Sequence, residues 1–244
     1  MFSDAVSAIR RAGETITGIE TQRGSVFSTP ILINAAGPAS AAINALAGTD
    51  RTQVIGTRAI RQEVVHLKMP LSASGKPAVP CVVTDSDCGI YMRPELKDHI
   101  PVGSLEPSCD KLETVSPDAF DDNLSEQWET QAWRAALRFP SLGIPNTAQG
   151  YVALYDVSDD WIPVYDRSDI EGYFMAIGTS GNQFKTAPVV GEMMADLIVY
   201  VNAGRDHDSD PFQFELKYTS KSLDLRTFSR LRRLTEKSSF CVLG

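Results

Sequence analysis

Neither of the glycine spacings that cradle a nucleotide's phosphates occurs in this chain. Among its 17 glycines no two stand two residues apart, so GxGxxG is impossible, and there is no GxxxxGK[ST] run. A GxSxG elbow is also missing. Histidine is confined to His66, His99 and His207, so nothing forces a Ser-His-Asp triad. Cysteine is sparse: Cys81, Cys88, Cys109 and Cys241 form no CxxC pair. That removes the close ligand pairs of a structural zinc site and predicts free thiols in a reducing, cytoplasmic setting. Asp206-His207-Asp208 lies in a polar stretch, and no metal is expected there. The most apolar run, 31–48, is interrupted by Asn34, Pro38 and Asn44, so it reads as strand, turn and helix, not as a membrane span. The opening MFSDAVSAIRRAG has no basic region followed by an apolar one, unlike a signal peptide. Basic charge is in deficit, with 23 Lys and Arg against 31 Asp and Glu and a net charge of −8. Such a balance argues against nucleic acid and anionic membranes as partners.

What is present is the composition of a globular protein: 244 residues, 43% hydrophobic and 22% charged. Residues 14–20 and 25–28, broken at Gly24, predict a hairpin. The run 31–37 is apolar without alternation, as in a strand covered on both faces. Gly37-Pro38 ends it, and Ser40 is placed to cap a helix over 41–47 that stops at Gly48. Strand-like runs follow at 60–67, 79–84, 89–93 and 100–103. One helix interrupts them, predicted from an N-cap at Ser116 and Pro117 to Phe139, with Phe120, Leu124, Trp128, Ala132, Ala135 and Ala136 on one stripe. Strands plus one helix, without βαβ alternation, suggest an antiparallel sheet with helical cover. From Gly150 the pattern changes: strands at 150–157 and 172–177, then a helix with Thr186 as cap, Pro188 in its first turn and Val190, Met193, Met194, Leu197, Ile198 and Val201 on its apolar face. The charged tail from 205 carries Arg226, Arg230, Arg232 and Arg233, read as a solvated face.

Two stretches carry chemistry. In GTSGNQFKTAP, 178–188, a buried strand turns through small residues into a helix start. Such a turn presents backbone N–H groups without intrahelical partners, and the helix dipole adds partial positive charge. It therefore suits an anion or the electron-rich edge of a ring. Lys185 adds a full charge beside these donors, although as a solvent-facing lysine it opposes the dipole by only a few tenths of a kcal/mol. In INAAGPAS, 33–40, a second buried strand ends in Gly-Pro at a helix start. Each is, taken singly, also compatible with a packing turn. Together, two strands of one sheet ending at glycine turns suggest a crevice at their carboxyl ends.

These residues resemble the C-terminal part of the D-amino-acid-oxidase-like flavoproteins, the family of sarcosine oxidase, dimethylglycine dehydrogenase and glycine oxidase. Four stretches carry the resemblance: TGIETQRGSVFSTPILINAAGP, RPELKDHIPVGSLEP, YDVSDDWIPVYD and GYFMAIGTSGNQFKTAPVVGEMMADLI. It implies that Ala36, Gly37 and Pro38 sit near the isoalloxazine of an FAD. It also implies that Gly178, Thr179, Ser180, Gly181, Asn182, Gln183 and Phe184 offer backbone donors to the ring edge. Lys185 matches the lysine that holds the substrate carboxylate in sarcosine oxidase, and Tyr91 and Arg93 lie on a substrate-domain strand. Ala153 stands where sarcosine oxidase has its flavin-linking cysteine, so FAD is expected to be held non-covalently. Pro101 falls near that enzyme's oxygen-activating lysine, which makes an acceptor other than O₂ more plausible. Ala39 replaces the usual tryptophan after Gly-Pro.

The expected fold is α/β, an incomplete Rossmann-like FAD-binding domain (1–50 and 150–204) with an inserted antiparallel-sheet substrate domain (51–149) and a tail (205–244). The family's N-terminal βαβ unit with GxGxxG is missing, so a separate N-terminal FAD-binding segment is a candidate partner. The expected function is oxidation of the C–N bond of a small amino acid or N-methylglycine-type amine by hydride transfer to flavin, with no catalytic residue assigned. The alternative is a non-catalytic fragment, or one half of a split flavoprotein, acting as a binding or scaffold module.

Overall fold

The computed structural model describes residues 3–49, 51–95 and 98–243. The chain divides into two compact units: 1–58 with 156–239, and Ala59–Tyr155 with Phe240–Leu243.

The first unit opens with a three-stranded antiparallel meander of β1 (Val6–Ala12), β2 (Thr15–Thr21) and β3 (Val26–Ser28). Sequence periodicity found β2 and β3 as a hairpin and missed β1, whose VSAIRRA carries two arginines and no strict alternation. Next to it lies a small sheet in the order β11-β12-β4, built from β4 (Leu32–Asn34), β11 (Val164–Arg167) and β12 (Tyr173–Ile177). Tyr173, Met175 and Ile177 project into one core with Ile16, Ile55 and Val164, and Phe174 into another with Met193, Met194 and Leu197 of α3 (Ala187–Asn202). β12 is thus covered on both faces, as its unbroken apolar run predicts, and each fully buried side chain of this kind contributes ~1.5–3 kcal/mol.

α1 (Ser40–Ala47) ends at Gly48 in the left-handed conformation, as expected, but Ser40 does not cap it. Ala39 holds the N-cap position, and the Ser40 hydroxyl is buried without a hydrogen bond. Thr186 likewise makes no cap bond to α3; its hydroxyl turns back to the Gln183 carbonyl at 2.9 Å.

The second unit is an antiparallel sheet in the order β10-β5-β8-β7-β6, with β9 (Glu113–Thr114) on β5. Its strands are β5 (Thr57–Lys68), β6 (Val83–Asp85), β7 (Ile90–Met92), β8 (His99–Ser104) and β10 (Gly150–Ser158). One face of this sheet packs Val65, Leu67, Ile90, Met92, Ile100 and Val102 against Trp128, Ala132 and Ala135 of α2 (Glu126–Arg138). The helix starts nine residues later than the Ser116 cap implies, at an N-cap supplied by Ser125. Asp121 takes hydrogen bonds from the Asn123 backbone and side chain, which holds that stretch non-helical and leaves Phe120 off the helix. The buried Glu63 carboxylate accepts the Ser125 amide and hydroxyl and also pairs with Arg61 at 2.7 Å, which fixes the helix start on β5.

The tail overturns one expectation. After β13 (Gln213–Leu216) and β14 (Lys221–Asp224), Arg230 and Arg232 are buried, not solvated. Arg230 pairs with Asp166 at 3.2 Å and Asp208 at 2.8 Å, and Arg232 with Asp160 at 2.7 Å. Their partners lie far off in sequence, in a stretch where single acidic residues read as ordinary loop charges. His207 is buried too, and desolvation holds its pKa down. Its Nδ1 accepts the Phe212 amide, which leaves the proton on Nε2, 3.5 Å from Asp166. Among the described residues no group of three His, Cys, Asp or Glu side chains is arranged to hold a metal, and no helix is long and apolar enough to cross a membrane. Breaking a buried pair strands its partner's charge, so Arg230→Ala should cost ~3–5 kcal/mol. The exposed Arg226→Ala should cost at most about 1 kcal/mol. Urea denaturation of both variants checks this, and equal losses would contradict the buried network.

Candidate functional site

In the first unit β4 and β12 run parallel, with Leu32 opposite Tyr173, Ile33 opposite Phe174 and Asn34 opposite Met175. Their carboxyl ends therefore leave the sheet at one edge, and the turns 35–38 and 178–182 follow side by side. A buried amide network holds the first turn. Asn34 donates to the Ser40 carbonyl at 2.9 Å and to Asn44 at 2.7 Å, while the Tyr173 hydroxyl donates to the same Asn44 oxygen at 2.8 Å. The Asn34 oxygen in turn accepts the Ala36 amide.

The second turn is built over Asp156, a buried carboxylate that sequence reasoning passed over in the run YDVSDDW. It accepts the Gly178 amide at 2.6 Å, and the Thr179 amide also points at it. The Ser180 amide goes to the Asp156 backbone carbonyl, and the Asn182 amide to the Thr179 carbonyl. These four N–H groups face inward, which corrects the expectation that every amide from Gly178 to Phe184 is offered to a ligand. The amides of Gly181, Gln183 and Phe184, and that of Gly37 in the first turn, have no partner among the described residues. The turn is tight: Gly178 has φ 68°, a Cβ there would lie 2.9 Å from the Ser158 side chain, and Ser180 takes φ 49° without being glycine.

Around these donors stand three further features. The side-chain nitrogen of Asn182 is buried without a partner. Lys185 Nζ donates to the Asn182 carbonyl at 3.0 Å. Phe184 is 97% exposed at the rim of an apolar groove of about 620 Å³ that runs along Ile33, Ala176, Val190, Met194 and Ile198. An electron-rich ring edge set against the corner would meet N–H groups, and its apolar body would meet the groove.

In the second unit Tyr91 lies on the sheet face away from α2. Its hydroxyl is 3.3 Å from that of Tyr155, and desolvation pushes the pKa of both upward. The ring rests on bare backbone at Gly103, where a Cβ would lie 2.3 Å from it. Arg93 is exposed and paired with Glu95 at 2.8 Å. Tyr155 and the buried Glu106, whose carboxyl desolvation pushes up to about 7, escaped sequence reasoning. Both lie in stretches that carry the family resemblance, but no spacing singles them out, and only the contact with Tyr91 reveals Tyr155. Tyr91 and Arg93 belong to one unit, Lys185 and the two turns to the other.

The first unit thus holds a parallel strand pair that ends at donor-lined turns, and the second an antiparallel sheet with a polar aromatic face. The family model for FAD dependent oxidoreductases of the DAO type matches residues 1–197, and the chain belongs to that family. It is 25% identical over 198 residues to the sarcosine oxidase subunit beta of Rhodobacter capsulatus, and 27% identical over 195 residues to the hydrogen cyanide synthase subunit HcnC of Pseudomonas aeruginosa. Each match covers 79% of this chain and 42% of the relative, so the chain spans under half the length of these relatives. Among solved structures, glycine oxidase from Geobacillus kaustophilus superposes with a TM-score of 0.66 at 18% identity, over 95% of this chain and 53% of that one. L-Proline dehydrogenase from P. horikoshii gives 0.64 at 22% identity, over 83% and 50%. Both have the same fold.

The corner fits the ring of FAD on its own terms, through the unpartnered amides and the orphaned Asn182 nitrogen. Its supporting carboxylate has a measurable signature. Burial raises the Asp156 pKa to about 6, against 3.8 for a free aspartate. Between these values the folded state holds the extra proton, so stability should fall as pH rises from about 4 to about 6, by ~3 kcal/mol at most, and then level off. Asp156→Asn, which still accepts the Gly178 amide, should flatten that slope in urea denaturations from pH 4 to 7. An unchanged slope would show that another group titrates.

Proposed function

We propose that this chain forms the ring side of an FAD site in an enzyme that oxidises the C–N bond of a small amino acid or N-methylglycine-type amine. The observation that carries this reading is the row of unpartnered amides at Gly181, Gln183 and Phe184, in a chain of an FAD-dependent family. Bound FAD supplies the two-electron acceptor. The amides, fixed before any ligand arrives, steady negative charge on the ring's edge without reorganisation. Gly37 and Pro38 leave room beside it, since a Cβ at Gly37 would meet nothing within 4 Å.

In this reading the first unit is the flavin side and the second the substrate side. Lys185 exchanges its bond to the Asn182 carbonyl for the substrate carboxylate, while Tyr91 and Arg93 line the substrate-side sheet. Ala153 has no nucleophile to link a flavin, so the cofactor is non-covalent. Pro101 brings no charge that could activate oxygen, which favours another electron acceptor. The free, exposed thiols of Cys81 and Cys109 agree with a cytoplasmic setting.

One observation favours a companion segment. β4 is paired on one side by β12 and has no strand on the other among the described residues, and its Ile33 is 44% exposed. Parallel strands are normally buried on both faces. A parallel strand and helix from an N-terminal FAD-binding segment, set against β4 and the apolar groove, would cover both and bring the phosphate loop that this chain lacks.

Titration of FAD into the purified chain should quench flavin fluorescence, and riboflavin should do so with comparable affinity because these donors meet the ring alone. No quenching at high micromolar FAD would overturn the reading. With flavin bound, Lys185→Ala should weaken sarcosine binding by ~1.5–3 kcal/mol while flavin affinity stays unchanged. Equal weakening towards an amine without a carboxylate would remove Lys185 from the role.

A further inference from the structure

The second unit holds a cleft of about 540 Å³ that no step of the proposed oxidation uses. Part of its wall is the sheet face away from α2, and part is the segment after α2, where Ile144 packs against the α2-side core. Strand alternation puts His66 and Lys68 on that face, and antiparallel pairing sets His99 directly opposite Lys68. Two of the chain's three histidines and one lysine therefore line a single cleft.

In a chain with eight more acidic than basic residues, no carboxylate lines it. Asp98 Oδ1 lies 3.5 Å from His99 Nδ1, and Glu95 meets His99 through its backbone amide. Lys68 makes no ion pair among the described residues. The rest of the wall is largely apolar, with Met69 buried and Leu71 and Ile144 beside it. His66 is held rigidly: its amide donates to the Gln149 carbonyl at 2.8 Å, and its ring meets Tyr151 edge-on at 5.5 Å.

We propose that this cleft is a binding site for an organic monocarboxylate with an apolar body. Lys68 carries the full charge that matches one carboxylate, and the imidazoles bring N–H donors in either protonation state. A cleft of this volume accommodates an aromatic or branched acid, with its apolar part against Leu71 and Ile144. The site stands apart from the flavin reading, because it lies within the second unit and needs neither FAD nor an oxidisable amine.

The test is calorimetric titration of the whole chain, without flavin, with 4-phenylbutyrate and with its neutral counterpart 4-phenylbutanamide. The acid should bind and the amide should bind at least about ten-fold more weakly. Lys68→Met should weaken acid binding about ten-fold or more, Lys68→Arg should retain it, and added salt should reduce it. Lys68 is exposed, so an unchanged melting temperature for Lys68→Met separates lost binding from lost fold. Lys185→Ala should leave the affinity as it is. Equal binding of acid and amide, full affinity in Lys68→Met, loss in Lys185→Ala, or no binding by the unaltered chain would each overturn the proposal. None of these results alters the outcome of the FAD titration.

Discussion

Three residues of parallel pairing between β4 and β12 set the geometry on which the first unit's chemistry depends. Had the two strands run antiparallel, the turns after Asn34 and Ile177 would lie at opposite ends of the sheet. Parallel pairing sends both out at one edge, where the backbone can no longer satisfy itself and donors are left over. Short strands suffice because β12 is packed on both faces and a polar network of Asn34, Asn44 and Tyr173 pins the strand beside it.

Asp156 then sorts the leftover donors. A buried carboxylate is costly unless it accepts hydrogen bonds, and Gly178 and Thr179 supply them. Anchoring the start of the turn in this way aims its later amides outward. The same logic recurs where Glu63 holds the start of α2 and where Asp166 and Asp160 hold the tail arginines. In each case a buried acid fixes backbone that sequence periodicity leaves undefined, and buried pairs of this sort serve position more than stability.

Much of this was legible in the sequence. The unbroken apolar runs marked β4 and β12 as strands, but only β12 is covered on both sides, since Ile33 of β4 is exposed; the glycine turns marked the corner, and the stripe of Trp128, Ala132 and Ala135 marked the buried face of α2. The family resemblance, resting on the motifs around Gly37 and Gly178, agrees with the match over residues 1–197. Long-range polar contacts were not legible. Periodicity reports whether a residue faces a core, but not that Arg230 meets Asp166 across 64 positions, or that Asp156 takes up the Gly178 amide. Ser116 and Ser40 misled for a related reason: a cap is chosen by what its neighbours bond, and Asp121 and Glu63 decided where α2 could begin.

The central claim is that a subset of amides at one corner meets the flavin ring. Residue-resolved ¹⁵N–¹H spectra of the chain, recorded while riboflavin is added, test it most directly. The Gly37, Gly181, Gln183 and Phe184 signals should move together, with Gly178 and Ser180 moving little because their N–H groups are already engaged. Shifts confined to other parts of the chain, or Gly178 and Ser180 leading the response, would contradict it.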